Sequence, residues 1–302
     1  MQQIPRVIAV VPAADKSEAL EFAPVIERWL LDRNCQVKHE AELAEGHHAD
    51  ALIALGGDGL MMHMANQFPS IPILGINFGT VGFLAMVERS RWQTVLEMLL
   101  DGDFTYQDGP TLSVDIQRDG VTTHDGTAIN DVVVRSGVQM VDVELYIDRR
   151  YVNTYPGDGM IVSSPQGSTA YCMAAGGPIL TAGVRGFALT PISAHSPIRA
   201  TLVVPEDSSI ELVVSNNRIA HLILDGRVAR ELRRDDIVTV RAGDRPFRMI
   251  MLEGMNFYEA FRSKFNYSIR PDAVPSLGMS RRGDKRGVAA NTTGDADRNT
   301  RF

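Results

Sequence analysis

The apolar run Ala51-Leu52-Ile53-Ala54-Leu55 breaks directly into Gly56-Gly57-Asp58-Gly59-Leu60. Five consecutive apolar residues ahead of a turn signal read as a buried strand. The glycines end that strand in a turn whose backbone can approach a ligand closely and adopt conformations barred to other residues. Asp58 is the one side chain among them that carries chemistry. A carboxylate held where a strand gives way to a glycine turn suits an anionic-ligand site or a general base. A tight turn with a polar tip is the plainer reading.

The first third of the chain repeats this strand-then-helix rhythm. Arg6–Val11 reads as a buried strand. Asp15-Lys16-Ser17-Glu18 resembles a helix N-cap with a carboxylate three residues on, and Leu20, Val25, Ile26, Trp29 and Leu30 follow at helical spacing. Val37–His39 and Pro72–Ile76 supply further strands, and Leu60–Asn66 and Arg91–Leu100 further helices. Strands separated by helices imply a mostly parallel, Rossmann-like sheet in an α/β N-terminal domain. Ligands on such sheets sit beyond the carboxyl ends of the strands. Both Gly56–Gly59 and the turn Asn77-Phe78-Gly79-Thr80-Val81-Gly82-Phe83 lie at such ends.

Beyond about Asp103 the helices fade. Leu112–Arg118, Ala128–Arg135, Val141–Ile147, Met160–Ser163, Leu202–Val204, Ile210–Val214, Ile219–Leu224, Ile237–Val240 and Arg248–Leu252 are short and alternating. Such spacing predicts a β-rich C-terminal domain of sandwich type, with one helix over Ser168–Ala175. The expected division is 1–105 for the α/β domain and 106–274 for the β-rich domain, its end returning toward the first. The stretch 275–302 is poor in apolar residues and reads as a disordered, locally basic tail.

Composition narrows the classes of function. With 302 residues, 44% hydrophobic and 22% charged, the chain buries cores of ordinary size. A net charge of −7 argues against broad binding to nucleic acid or anionic membrane. Cys35 and Cys172 form neither a metal spacing nor a disulfide framework. With no signal-peptide pattern and no apolar run long enough to cross a bilayer, the expectation is a cytoplasmic protein.

Two further constellations carry chemistry. Gly157-Asp158-Gly159 opens a run through Ser163-Ser164-Pro165-Gln166-Gly167-Ser168-Thr169-Ala170-Tyr171 to Gly176-Gly177-Pro178. Small residues, hydroxyls and exposed amides there suit a polar ligand approaching a helix start; the plainer reading is a capped strand–turn–helix junction. Asn130-Asp131 interrupts an otherwise smooth apolar strand. An adjacent amide and carboxylate can read a ribose or a base edge with donors and acceptors together, or can mark a strand edge or bulge.

Taken together, Gly56–Gly59, Gly75-Ile76-Asn77-Phe78-Gly79 through Phe83-Leu84, Asn130-Asp131 and Gly157–Pro178 resemble the ATP-dependent NAD kinases in order and spacing, from about Val7 to Leu252. The first motif is shared with lipid kinases and phosphofructokinases; the Ser164–Tyr171 run followed by Ala175–Pro178 is far more specific. The resemblance implies phosphorylation of the 2′-hydroxyl of the adenosine ribose of NAD by ATP, giving NADP. It implies Asp58 as general base, with Gly56, Gly57 and Gly59 at the phosphates of ATP. Asp58, Gly59 and His63 would line the NAD pocket, Asn130 and Asp131 hold the adenosine part, and Thr169, Ala170, Tyr171, Cys172, Met173 and Ala174 wall the adenine and ribose. Asp158 corresponds to the acidic residue on the nicotinamide side, a position that admits a contribution across a subunit boundary in a homodimer or homotetramer. No P-loop and no His/Cys cluster is present, so a divalent metal, Mg²⁺, is expected to arrive with ATP. The alternatives are a lipid kinase sharing the glycine turn and a dinucleotide sensor without turnover. The chain departs from the family pattern at Leu60, Pro156, Gln166, Ala200-Thr201 and Arg227.

Overall fold

In the computed structural model, which describes residues 4–79, 82–181 and 183–269, side chains of the first strand alternate between two buried faces. Ile8 and Val10 face one helical layer, Ala9 and Val11 the other. This is the pattern that a sheet covered on both sides demands. Four parallel strands, Gln36–Lys38, Val7–Pro12, Ala51–Gly56 and Ile73–Asn77, stand in that spatial order. The helices Ser17–Leu31 and Trp92–Asp101 bury Ile26, Leu30, Leu96 and Leu99 on one face. The helices Glu40–Ala44 and Asp58–Gln67 bury Leu43, Met61 and Met64 on the other.

This strand order has a functional consequence. From Val7–Pro12 the chain turns outward to Gln36–Lys38 and then back to Ala51–Gly56, so the connections diverge between the first and third strands. At such a switch point an open crevice forms at the carboxyl ends. Gly56–Gly59 sits at that crevice, and Gly56 pairs with Asn77, bringing the two glycine turns side by side.

Phe247–Leu252 completes the sheet beside Ile73–Asn77 and pairs antiparallel with Phe104–Gly109 on its outer side. The run Arg248–Leu252, read with the β-rich part from its alternation, therefore belongs to the first sheet. Its residues Ile250 and Leu252 are drawn there by the core under Trp92–Asp101. Two local expectations also change. The first helix begins at Ser17 with Lys16 in the N-cap position and no side chain capping it. Asp15 is not the cap, and the Lys16 ammonium reaches across to the Phe78 carbonyl at 2.7 Å. The expected helix over Ser168–Ala175 divides into a 3₁₀ turn, Gly167–Thr169, and one helical turn, Tyr171–Ala174. The Ser168 hydroxyl holds the Pro165 carbonyl at 2.6 Å, a local bond that competes with the helix ladder.

The remaining strands form two six-stranded antiparallel sheets packed face to face. One has the order Arg150–Gly157, Val141–Ile147, Ile210–Val214, Ile237–Ala242, Leu112–Arg118, Val121–Ala128; the other Leu202–Pro205, Gly186–Ile192, Gly159–Ser163, Asp131–Ser136, Ala220–Leu224, Arg227–Leu232. Alternate residues such as Val114, Ile116, Val143, Leu212 and Val240 meet Val132, Val134, Met160 and Leu222 in a shared core. Residues 131–134, within the strand Asp131–Ser136, and Gly159–Ser163 are buried on both faces, because Cys172 and Leu180 cover the outer one. The described residues up to Phe265 belong to one compact unit, and the helix Phe257–Ile269 ends the described chain. The expected tail, 275–302, lies outside the described residues.

One hairpin ties the sandwich to the first sheet. Asp225 and Gly226, with φ of 46° and 77°, link Ala220–Leu224 to Arg227–Leu232 in the geometry that favours Asp-Gly. The Asp225 carboxylate accepts the backbone N–H groups of Ile129 (2.8 Å), Asn130 (2.7 Å) and Asp131 (3.2 Å). It also accepts the side-chain amide of Asn66, on the Asp58–Gln67 helix, at 2.8 Å. Replacing Asp225 by Ala leaves these donors without their acceptor. The expected cost is about 2–4 kcal/mol of stability in urea unfolding; a loss below about 0.5 kcal/mol would show that the clamp contributes nothing.

Candidate active site

Asp58 occupies the first turn of its helix, with Gly57 as N-cap. Its carboxylate points across the crevice to the irregular segment after Ile73–Asn77. There it accepts the backbone N–H groups of Phe83 (2.9 Å), Leu84 (3.0 Å) and Ala85 (2.9 Å). Gly82 makes the approach possible, since a Cβ there would stand 1.8 Å from Asp58 Oδ1. A carboxylate offers about four lone-pair sites. Three are engaged by amides, the side chain is 28% exposed, and the Lys264 ammonium stands 3.8 Å from Oδ2. Beside it, Gly59 is exposed, and nothing lies within 4 Å of where its Cβ would be. On the other flank Lys16 Nζ is 3.3 Å from the Cβ position of Gly79 and 3.8 Å from that of Gly57.

The Asn130-Asp131 pair is fixed through its own backbone. Its amides go to Asp225. The Asn130 carbonyl accepts the Ser164 amide (2.9 Å), and the Ile129 carbonyl accepts the Ser164 hydroxyl (2.5 Å). Gly167 packs so closely on Asn130 that a Cβ would meet the Asn130 carbonyl oxygen at 2.0 Å. Ile129 is buried in the same cluster as Met61 and Met64 of the Asp58 helix. The side chains are thus left for other work: Asn130 Oδ1 is buried without a hydrogen-bond partner. Burial, and then the nearby Asp225 charge, push the Asp131 carboxyl up to about 7. Near neutrality Asp131 can therefore accept a hydrogen bond or, protonated, donate one.

The other expected residues fall into three groups. His63 is exposed, and five positions along a helix carry it roughly 140° round from Asp58. It shares a stripe with Asn66, three residues on. Thr169, Ala170, Tyr171 and Met173 are half-buried and Ala174 exposed at the junction that Gly167 anchors. Cys172 is fully buried against Thr190, and burial pushes its thiol up, which suits a wall residue. Asp158 is exposed at the far end of Gly159–Ser163. Five residues of strand, at about 3.3 Å each, set it some 17 Å from Ser163. Within one chain it does not join the Asn130-Asp131 cluster. A cavity of about 420 Å³ opens between the two halves, lined by Phe83, Leu84, Pro165, Gln166, Thr169 and Phe257 among others.

Sequence reasoning missed Asp225, Lys16, Lys264 and Gly82. Asp225-Gly226 between two alternating runs was a readable hairpin signal. Phe257, Phe261 and Phe265, spaced by four, were a readable helical stripe. Nothing local marks a lysine or a glycine as the neighbour of a distant carboxylate.

The family models match both halves: the ATP-NAD kinase N-terminal domain over residues 38–104 and the ATP-NAD kinase C-terminal domain over 129–252. A curated NAD kinase from Thermomicrobium roseum is 56% identical over 272 residues, covering 90% of this chain and 95% of that protein. The chain belongs to the ATP-NAD kinase family. Among solved structures, an NAD kinase from Archaeoglobus fulgidus in complex with ATP has a TM-score of 0.71 at 26% identity, over 85% of this chain and 99% of that one. Yeast NADH kinase complexed with NADH has a TM-score of 0.76 at 20% identity, over 89% and 90%, and shares the fold. Matches in both halves to NAD kinase domains favour the dinucleotide reading over the lipid one.

The buried Asp131 carboxyl gives stability a pH signature. Folded, it keeps its proton up to about pH 7; unfolded, it releases it near 3.8. Its stabilisation relative to the ionised form is therefore complete below about pH 4 and lost as pH rises through 7. Asp131→Asn removes that slope. Unfolding free energies from urea titrations between pH 4 and 7 are expected to fall less steeply for D131N than for the parent, by on the order of 2–4 kcal/mol across the range. Parallel curves would contradict the burial of an ionisable group there.

Proposed function

We propose that this chain transfers the terminal phosphoryl group of ATP to the 2′-hydroxyl of the adenosine ribose of NAD, giving NADP, with Asp58 as general base. The observation that carries this is an anchored carboxylate, Asp58, at the switch-point crevice, on the same helix that helps to hold an amide–carboxyl pair, Asn130 and Asp131. The two are joined through Asn66 and Asp225. Three N–H bonds orient Asp58 and leave about one lone-pair site for an incoming hydroxyl. A ribose hydroxyl is a weak nucleophile near neutral pH, and a placed base accelerates its attack about 10²–10⁴-fold. Asn130 Oδ1 and the Asp131 carboxyl supply the hydrogen bonds for the adenosine part. Thr169 through Ala174 form its wall, with Gly59 and His63 at its edge. Gly56, Gly57 and Gly59 lie where their amides can face the phosphates.

Among the described residues no group of three or more His, Cys, Asp or Glu side chains is arranged to hold a metal. In this reading Mg²⁺ enters as part of the nucleotide substrate, bound by its phosphates. We extend the reading to assembly and working division. Asp158 is exposed, and its carbonyl accepts the Ser136 amide beside the exposed Val138, Met140 and Ile219. A homodimer or homotetramer covering that apolar patch would bring Asp158 to a partner's nicotinamide side. The working lobes would be 1–105 and 106–274, with Phe247–Leu252 from the second returning into the sheet of the first. Among the described residues no helix is long and apolar enough to cross a membrane, and a cytoplasmic setting fits substrates of this kind.

Asp58→Asn tests the base. Expected is a fall in kcat of about 10²–10⁴-fold in NADP formation, with NAD binding retained in calorimetry. Turnover of D58N near that of the parent would remove Asp58 from the chemistry. Diacylglycerol offered in place of NAD is expected to yield no product.

A further inference from the structure

We infer that Lys264 is a catalytic cation of this site, placed to neutralise the phosphoryl group in transit; the inference rests on the kinase reading above. Lys264 projects from the helix Phe257–Ile269. Its ammonium lies 3.8 Å from Asp58 Oδ2 and 4.4 Å from the centre of the Phe83 ring. No other Lys or Arg pairs with Asp58 among the described residues.

Three observations assign it more than an ion-pair role. First, Asp58 is already held by three backbone amides, so the lysine is not needed to orient the carboxylate. At 3.8 Å, with a third of its side chain exposed, it remains able to turn to a new partner. Second, its helix is keyed to Asp58. The rings of Phe257 and Phe265 lie 5.7 and 6.3 Å from Phe83, and Phe261 lies 4.7 Å from Phe265. Phe83 is the residue whose N–H binds Asp58 Oδ2, the oxygen Lys264 faces. The position of the ammonium is thus set by the ring of the same residue whose backbone N–H holds the base. Third, lysine is scarce here: of 30 basic residues only Lys16, Lys38, Lys264 and Lys285 are lysines. Two of these four flank the glycine turn. Lys is a compact charge with three rotatable donors, suited to follow an oxygen that moves, whereas Arg holds a fixed fork.

The reaction places the need. The bond between the ribose 2′-oxygen and phosphorus forms as the bond from phosphorus to the bridging oxygen breaks. The hydroxyl proton passes to Asp58, and the nucleoside diphosphate leaves with the electron pair. Phosphorus must therefore come within about 3–3.5 Å of a hydroxyl that itself touches Asp58, within reach of the Lys264 ammonium. Lys16, on the opposite flank, is committed to the Phe78 carbonyl at 2.7 Å.

The test uses the full chain with NAD and MgATP. Lys264→Met keeps the apolar stem over Phe83 and removes the charge. Expected is a fall in kcat of about 10²–10³-fold, with the calorimetric Kd for NAD within about threefold of the parent, and partial recovery in K264R. Lys264→Ala supplied with ethylammonium is expected to regain activity as the amine concentration rises, a response that a purely structural lysine would not give. K264M turnover within threefold of the parent would overturn the assignment. So would loss of NAD binding and turnover together in K264M without amine rescue in K264A. If K264M does not fold, rescue of K264A decides alone. An unaltered protein that makes no NADP would refute the kinase reading, and Lys264's part with it; an active parent indifferent to K264M would refute the lysine alone.

Discussion

Irregular backbone brought into the interior must find partners for its N–H groups, and here two aspartate carboxylates supply them. The segment 83–85 gives its amides to Asp58, and the segment 129–131 gives its amides to Asp225. Neither segment belongs to a sheet ladder along its length, so without these acceptors each would carry several unpaired donors. The two clamps meet on one helix, which begins with Asp58 and reaches Asp225 through Asn66. The same bonds that make the fold self-consistent thereby tie Asp58 and the Asn130-Asp131 pair, the residues proposed above as base and adenosine contacts, to a single helix.

The arrangement concentrates negative charge. Burial raises the Asp131 carboxyl and the nearby Asp225 charge adds to the effect, so Asp131 holds its proton well above the ordinary carboxylate range. The Asp225 carboxylate accepts four N–H donors, a set that Asp131 lacks. At the other clamp Asp58 faces a lysine rather than a second acid. The two carboxyls thus sit in unlike surroundings, one buried beside an acid and one facing a cation.

Much of this was legible in the chain. The apolar runs Arg6–Val11, Ala51–Leu55 and Pro72–Ile76 are continuous because the sheet is covered on both faces, and that continuity made the parallel sheet readable. The alternation of Leu112–Arg118 or Val141–Ile147 likewise reflects one buried face and one open one. Strand Phe104–Gly109 was not legible: it buries Phe104 and leaves most of the rest partly or fully exposed, so its sequence carries no period. Arg248–Leu252 has a strand's pattern, but which sheet it joins depends on a core formed elsewhere. In the site, Asp58, Asn130 and Asp131 stood out because polar residues interrupt apolar or glycine runs. Asp225 did not, since an Asp-Gly pair in a hairpin is sufficiently explained by the turn. Lys264 carries no local mark, for its meaning lies in a carboxylate two hundred positions earlier in the chain.

The hydrogen bond between Asn66 and Asp225 joins residues 159 positions apart. During synthesis, every element of the parallel sheet up to Ile73–Asn77 emerges long before its clamp, and the chain must grow through the Asp225-Gly226 hairpin before the crevice has a second wall. The strand Phe247–Leu252, which completes the sheet, and the helix bearing Lys264 come later still. Contacts of such long separation form late, after closure of the loops between them. A nascent or truncated chain of this kind can hold a folded first sheet and yet no site at all, so catalytic competence becomes a property of the finished polypeptide and withholds chemistry from its fragments.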